Sequence, residues 1–458
     1  MVRKSHFFST SSIAALIIIH FSLLISVCFS QSITWQRIYR VYNREEFCGS
    51  VVQTPDSGFI SAGTLILRTN KFGDTLWTKL IPGSRYYRIG QASDNNYVIL
   101  DDNYRLYKIN ISGDIIWSRG PYNNSTELYN VKATLDRGFV LVGDTAPAPV
   151  HPYFVKTDSA GNYQWGKSFV NFRGDFVDFV QFTDGNFAFC GADSSGAFIL
   201  KTDGAGNQMW LKHYSNTSGG SSIALLPNKC LALAGYPFIL KTDSSGNQLW
   251  IKYYQLNQRW VNIGSMIKTI DGGFALTGDV DTAGNTNYFI PLIKTDSAGN
   301  ILWYRYFGSN NYDDAFCIRQ TYDHGYIIAG RKYPVQDTSY AYLIKTDSTG
   351  FATPFIGIKK ISDNIPISFS LSQNYPNPFN PTTKIRFSIP LAKGVRGMEV
   401  KLIIYDVLGR ELSTLVNQSL KPGAYEVEFD GSNFASGIYF YRLTVGDFTQ
   451  TKKIVLVK

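Results

Sequence analysis

The sequence predicts an all-β fold: a seven-bladed β-propeller closed by an N-terminal strand, followed by a C-terminal Ig-like β-sandwich. Three observations carry this. A unit reading Lys-Thr-Asp-x-x-Gly-Asn-x-x-Trp recurs, with glycines at Gly73, Gly113, Gly161, Gly206, Gly246, Gly299 and Gly350, a mean period of about 46 residues. A second unit, Asp271-Gly272-Gly273-Phe274 through Gly278 in its clearest copy, keeps step with it. The segments between are short, apolar and rich in β-branched and aromatic residues, without a helical period. Composition agrees: the 458 residues are 44% hydrophobic and 17% charged, too apolar for disorder, and 29 Tyr with 31 Phe favour strands.

Residues 1–30 read as a signal peptide. Arg3 and Lys4 precede an apolar run over 13–29, and Cys28-Phe29-Ser30 offers a cleavage site before Gln31. Use of Cys28 as a lipidated cysteine is disfavoured by the bulky Val27 before it. No other stretch reaches the roughly 18 apolar residues that cross a bilayer, so no transmembrane segment is expected in the mature chain.

The propeller is assigned to residues 31–354. The first unit stands clearly at 156–165, 201–210, 241–250 and 294–303, and more loosely at 68–77 and 108–117. The second unit stands at 56–63, 94–101, 136–143, 184–191, 228–235, 271–278 and 323–330. Each period is read as four strands, in the sixth 265–269, 274–277, 289–295 and 301–307. Each turn needs an Asp to accept backbone N–H bonds and a Gly free to take positive φ. The seventh first-unit copy, at Lys345 to Gly350, lacks a Trp, and residues 33–39 resemble 301–307. An orphan N-terminal strand therefore completes the last blade and removes the open edges. A Trp at one fixed place in every period is read as packing between sheets rather than a sugar platform. The turn Asp caps its own loop rather than holding calcium. Cys48 and Cys317 are placed at similar points of two repeats. With Cys190 and Cys230 they lack CxxC spacing and read as small buried hydrophobes.

Residues 355–367 read as a linker and 368–458 as the sandwich, with strands over 384–389, 400–405, 411–415, 424–429, 437–445 and 449–457. This segment carries Asn374-Tyr375-Pro376-Asn377-Pro378-Phe379-Asn380-Pro381, Tyr405-Asp406-Val407-Leu408-Gly409-Arg410, Pro422-Gly423-x-Tyr425 and Phe434-Ala435-Ser436-Gly437-Ile438-Tyr439. On these residues it resembles the type A sorting domain of the type IX secretion system. The resemblance implies passage through an outer membrane and partnership with the type IX translocon and a sortase-like processing protease. It also implies a sorting signal at Lys452, Lys453, Ile454, Val455, Leu456, Val457 and Lys458. The repeats resemble those of propeller cargo of the same route.

The net charge of +9 is uneven: +2 in residues 1–30, +5 in 355–458 (13 basic, 8 acidic) and +2 over the rest (29 basic, 27 acidic). No basic stripe suits nucleic acid. Strand order puts the first-to-second and third-to-fourth turns of every blade on one face, and the longer, variable loops on the other. On that loop face Tyr86, Tyr87, Tyr122, Arg173, Arg259, Trp260, Tyr312, Asp313 and Asp314 are the candidate binding residues. Rings beside Asn, Asp and Arg suit a glycan, with a cell-surface protein as the other partner class. No catalytic residue, metal or cofactor is predicted. His151, His213 and His324 sit in no motif, and the calcium-like start at Asp279 and Asp281 meets Ile290 where Glu is needed. The reading is an extracellular binding or adhesion module. The competing reading is a glycan-active hydrolase with acids from the loop face, the pairs Glu45-Glu46 and Asp313-Asp314 each supplying at most one, since adjacent acids in a strand point to opposite faces.

Overall fold

The computed structural model describes residues 33–458 except 41–44, 83, 85–86, 121, 123–125, 146–148, 283–284, 309–311, 336–337, 353–358, 363–364, 392–397 and 432–433. The expected signal peptide lies outside them. Among the described residues the regular structure is strand, apart from a single 3-10 turn at Pro227–Lys229.

Seven antiparallel sheets come first. Sheet 1 runs Cys48–Gln53, Phe59–Gly63, Ile66–Thr69, Thr75–Lys79, and sheet 2 runs Tyr87–Gln91, Tyr97–Asp101, Leu106–Ile109, Ile115–Arg119. Sheet 3 runs Thr126–Ala133, Phe139–Thr145, Pro152–Thr157, Tyr163–Ser168, and sheet 4 runs Asp175–Gln181, Phe187–Asp193, Gly196–Thr202, Gln208–Tyr214. Sheet 5 runs Ser222–Leu225, Leu231–Gly235, Phe238–Thr242, Gln248–Tyr253, and sheet 6 runs Arg259–Lys268, Phe274–Thr282, Asn285–Thr295, Ile301–Phe307. Sheet 7 runs Asp314–Gln320, Tyr326–Val335, Thr338–Thr346, and its fourth strand is Trp35–Tyr39, with Trp35 opposite Lys345 and Tyr39 opposite Ala341. The first strands touch one another in cyclic order, sheet 7 returning to sheet 1. The cores lie between neighbouring sheets. Between 7 and 1 the core holds Trp35, Cys48, Phe59, Leu67, Cys317 and Leu343.

The repeat units explain the ring. In each first unit the Asp or Asn caps its own turn: Asp243 Oδ1 accepts from Ser245 N at 2.8 Å and Asn247 N at 2.9 Å. The unit glycines all take φ between 76° and 82°, a region that favours glycine. The Trp of the preceding sheet lies against that glycine. A Cβ at Gly246 would come 2.8 Å from the Trp210 ring, and one at Gly73 would come 2.8 Å from Trp35. Tyrosines later in the outer strands add a bond to the same turn, as Tyr214 Oη donates to the Gly246 carbonyl at 2.9 Å. The two units keep step because a buried cation of one pairs with the Asp of the other. Lys156 reaches Asp136 at 2.6 Å, Lys294 reaches Asp271 at 2.9 Å and Lys345 reaches Asp323 at 2.8 Å.

Three expectations need correction. The first three strands of sheet 6 are longer than predicted, because the polar residues beyond Gly278 continue the ladder, Val280 pairing with Phe289 and Asp281 with Tyr288. Cys48 and Cys317 are not equivalent. A bulge follows Cys48 but precedes Cys317, so Cys317 matches Ser50. Both thiols are buried, as is Cys190, and burial pushes Cys48 up to about 12. Within 355–367, read as linker, Lys359–Ser362 is a strand paired with Gly423–Asp430.

The C-terminal segment has two antiparallel sheets. One orders Lys359–Ser362, Gly423–Asp430, Thr382–Ile389, Ser370–Leu371, and the other Glu411–Leu420, Met398–Tyr405, Gly437–Val445, Phe448–Leu456. They enclose one core of residues such as Ile385, Phe429, Leu402, Leu443, Ile454 and Leu456. The Asn-Pro-rich loop clamps the last strand: Asn377 Oδ1 accepts from Val455 N at 3.0 Å, and Phe379 N donates to Val455 O at 2.9 Å.

Gly246→Ala must bear both left-handed strain and a clash with Trp210, whereas a Cβ at Gly185, with φ of 87°, meets nothing within 4 Å. Gly246→Ala is expected to destabilise by about 2–4 kcal/mol and Gly185→Ala by only about 1 kcal/mol, read from urea midpoints.

Candidate functional site

On the loop face, between sheets 5 and 6, a groove of about 480 Å³ is lined by Tyr236, Gln258, Arg259, Trp260, Asn262, Asp279, Asp281 and Tyr288. The long strands of sheet 6 build it. Trp260, Asn262, Asp279 and Asp281 all stand on the parts of those strands that extend beyond the predicted ends. Trp260 is 45% exposed and meets the Tyr253 ring edge-on at 6.5 Å, and Tyr236 and Tyr253 are equally open. Arg259 lies 3.7 Å from Asp281. Asn262 Nδ2 donates to Asp279 Oδ1 at 2.9 Å. Burial, with the Asp314 and Asp281 charges adding to it, pushes the Asp279 carboxyl up to about 6, while Asn262 and Arg331 pull the other way.

The candidates from the sequence divide. Arg259 and Trp260 meet in the groove. Tyr312, 49% exposed, stacks on the groove's Tyr288 with centroids 5.5 Å apart. Tyr86 and the side chain of Tyr87 lie outside the described residues. Arg173 is exposed on sheet 4's entry loop, away from the groove lining. Tyr122 is half-buried and donates to the Gly161 carbonyl at 2.8 Å, so it is engaged in joining sheets 2 and 3.

The acid pairs are engaged as well. Asp313 is fully buried, with Lys332 Nζ at 3.0 Å and Tyr333 N at 2.7 Å, so it is no surface contact. Arg331 donates to both Asp314 oxygens, at 2.7 and 2.8 Å. Glu46 is buried and Glu45 exposed, so that pair offers one surface carboxylate. Lys452 to Lys458 stand in and just beyond the last sandwich strand, Ile454 and Leu456 pointing into the core. Sequence reasoning missed Tyr236, Asn262, Asp279, Asp281 and Tyr288 as one site. The alternation of Asn262, Asp279 and Asp281 with apolar neighbours was its signal. Among the described residues no group of three His, Cys, Asp or Glu is placed to hold a metal.

The architecture is that of an all-β, multi-sheet chain whose C-terminal segment has two sheets around a core of its own. Residues 373–458 of that segment match the family described as the secretion system C-terminal sorting domain. The chain is therefore secreted to the cell surface or extracellular space, and its tail engages the type IX machinery. No described helix is long and apolar enough to cross a membrane. No curated protein sequence matches the chain significantly. Among solved structures, the chain is similar to a protein of unknown function from Bacteroides caccae, at 13% identity and TM-score 0.42, over 54% of this chain and 92% of that one. It is also similar to the extracellular domain of a hybrid two-component system from B. thetaiotaomicron, at 10% identity and TM-score 0.46, over 92% of this chain and 57% of that one. A third likeness is to the Dos1 propeller, at 8% identity and TM-score 0.44, over 88% and 97%.

Asp279 gives a signed pH effect. Its folded pKa, about 6, is raised above the unfolded value of about 3.9. Its stabilising contribution is therefore full below about pH 4 and lost as pH rises through about 6. Asp279→Asn removes that loss. The melting temperature of the variant relative to wild type should rise between pH 4 and pH 8, and a difference that stays flat would show that Asp279 titrates normally.

Proposed function

We propose that the chain is a secreted binding or adhesion module: a seven-bladed β-propeller over residues 31–354 carrying an Ig-like sorting sandwich over 368–458, exported after loss of residues 1–30. The loop-face groove binds a glycan. The observation that supports this most is the pairing of open aromatic surface, Trp260 and Tyr236, with hydrogen-bonding groups on the same wall, Arg259, Asn262, Asp279 and Asp281. Rings stack on the apolar faces of a sugar while carboxylate, amide and guanidinium groups take its hydroxyls.

A second reading, a glycan-active hydrolase, has one observation in its favour. Asp279, with its carboxyl near 6, shares the groove with Asp281, which Arg259 faces. An acid of raised pKa with a second carboxylate in the same groove is the pairing such chemistry uses.

The test incubates the full mature chain with a panel of insoluble polysaccharides and reads depletion from solution and released sugar in the same tubes. Depletion without release is expected, with Trp260→Ala weakening it about tenfold or more. Sugar release abolished by Asp279→Asn would instead establish the hydrolase. Depletion unchanged by Trp260→Ala would remove the groove from the account.

A further inference from the structure

The aromatic surface of the loop-face groove does not stop at the groove's own lining. Trp260 and Tyr288 stand on the first and third strands of sheet 6. Val261, next to Trp260, pairs with Val280, and Asp281 pairs with Tyr288. The two rings are thus two strand spacings apart, about 10 Å. Each is continued by a further tyrosine outside the lining. Tyr253, at the end of the last strand of sheet 5, meets Trp260 edge-on at 6.5 Å. Tyr312, just before the first strand of sheet 7, stacks on Tyr288 at 5.5 Å, and Tyr333 meets Tyr312 edge-on at 6.4 Å. Sheets 5 and 7 flank sheet 6 in the ring, so Tyr253 and Tyr312 lie beyond opposite ends of the groove.

Both outer rings are about half exposed, and both ends are held in place. Tyr253 Oη donates to the Asn216 carbonyl at 3.1 Å. The buried Asp313 organises the other end. Its N–H donates to the Tyr288 carbonyl at 3.2 Å, its Oδ1 accepts from Tyr333 N at 2.7 Å, and Lys332 balances its charge at 3.0 Å. Rings fixed before binding lose little freedom when a ligand arrives. The repeat itself does not ask for Tyr253: three residues after the unit Trp, sheets 1 to 4 carry Leu80, Gly120, Ser168 and His213. A single exposed ring is ordinary on a protein surface. Rings in contact across three neighbouring sheets, with Asn262, Asp279 and Asp281 along the middle, make one continuous platform. A pocket for a chain end is closed on one side, whereas this surface runs past the groove in both directions.

We propose that the groove takes the interior of an extended polysaccharide chain rather than a chain end, with Tyr253 and Tyr312 as its two outer subsites. This rests on the glycan reading of the groove and names the form of glycan it takes.

The test is titration calorimetry of the full mature chain with cello-, xylo-, manno- and chito-oligosaccharides of two and six units, and with each six-unit sugar after borohydride reduction of its reducing end. In at least one series six units bind at least tenfold tighter than two, and reduction changes six-unit affinity less than twofold. Tyr253→Ala and Tyr312→Ala each lower the ratio of six-unit to two-unit affinity about fivefold, a ratio that a partly unfolded sample leaves unchanged. Equal affinity for two and six units, loss of six-unit binding on reduction, or a ratio indifferent to both tyrosine variants overturns the inference while the glycan reading stands. Absence of binding in every series also overturns it, and depletion in the polysaccharide panel then decides separately whether the glycan reading survives.

Discussion

The contact on which the rest of the structure depends is the tryptophan of one sheet lying against the left-handed glycine of the next sheet's turn. Each half constrains the other. The turn needs positive φ to close around its Asp, and the ring needs the absence of a Cβ to come close. The contact recurs from Trp77 on Gly113 to Trp303 on Gly350, and Trp35 on Gly73 joins the last sheet to the first. Chain closure and sheet-to-sheet packing are thus one interaction. Its position near the turn face leaves the opposite loops outside the repeat's demands.

That separation connects scaffold to function. On the turn face, residues are committed to caps and to pairs of a buried cation with a partly exposed Asp, such as Lys156 with Asp136 and Lys294 with Asp271. Removing the Asp of such a pair leaves the buried cation without that partner. On the loop face, sheet 6 can lengthen its strands without disturbing the ring, and the groove stands on that extension.

Much of the fold was legible because turns demand particular residues at fixed offsets. Asp and Gly spacing located the periods, and the missing seventh Trp located the closing strand. Strand ends were less legible. Asp279 and Asp281 look like loop residues, yet they continue the ladder of sheet 6, Asp279 opposite Asn262 and Asp281 opposite Tyr288. Asp313 looked like a surface acid because its partner, Lys332, lies across a hairpin rather than nearby in sequence. Tyr122 looked like a loop aromatic because nothing local shows that its hydroxyl reaches the Gly161 turn.

Export and architecture meet at the two ends of the described chain. The tail is held in the sandwich by its Asn-Pro-rich loop, and Trp35–Tyr39 is held in sheet 7 by Thr338–Thr346. Amide hydrogen exchange on the full mature chain tests the closed ring most directly. The account predicts that the Trp35–Tyr39 amides bonded to Thr338–Thr346 exchange as slowly as that partner strand and open together with it. Free exchange of Trp35–Tyr39 while Thr338–Thr346 stays protected would contradict closure by the N-terminal strand.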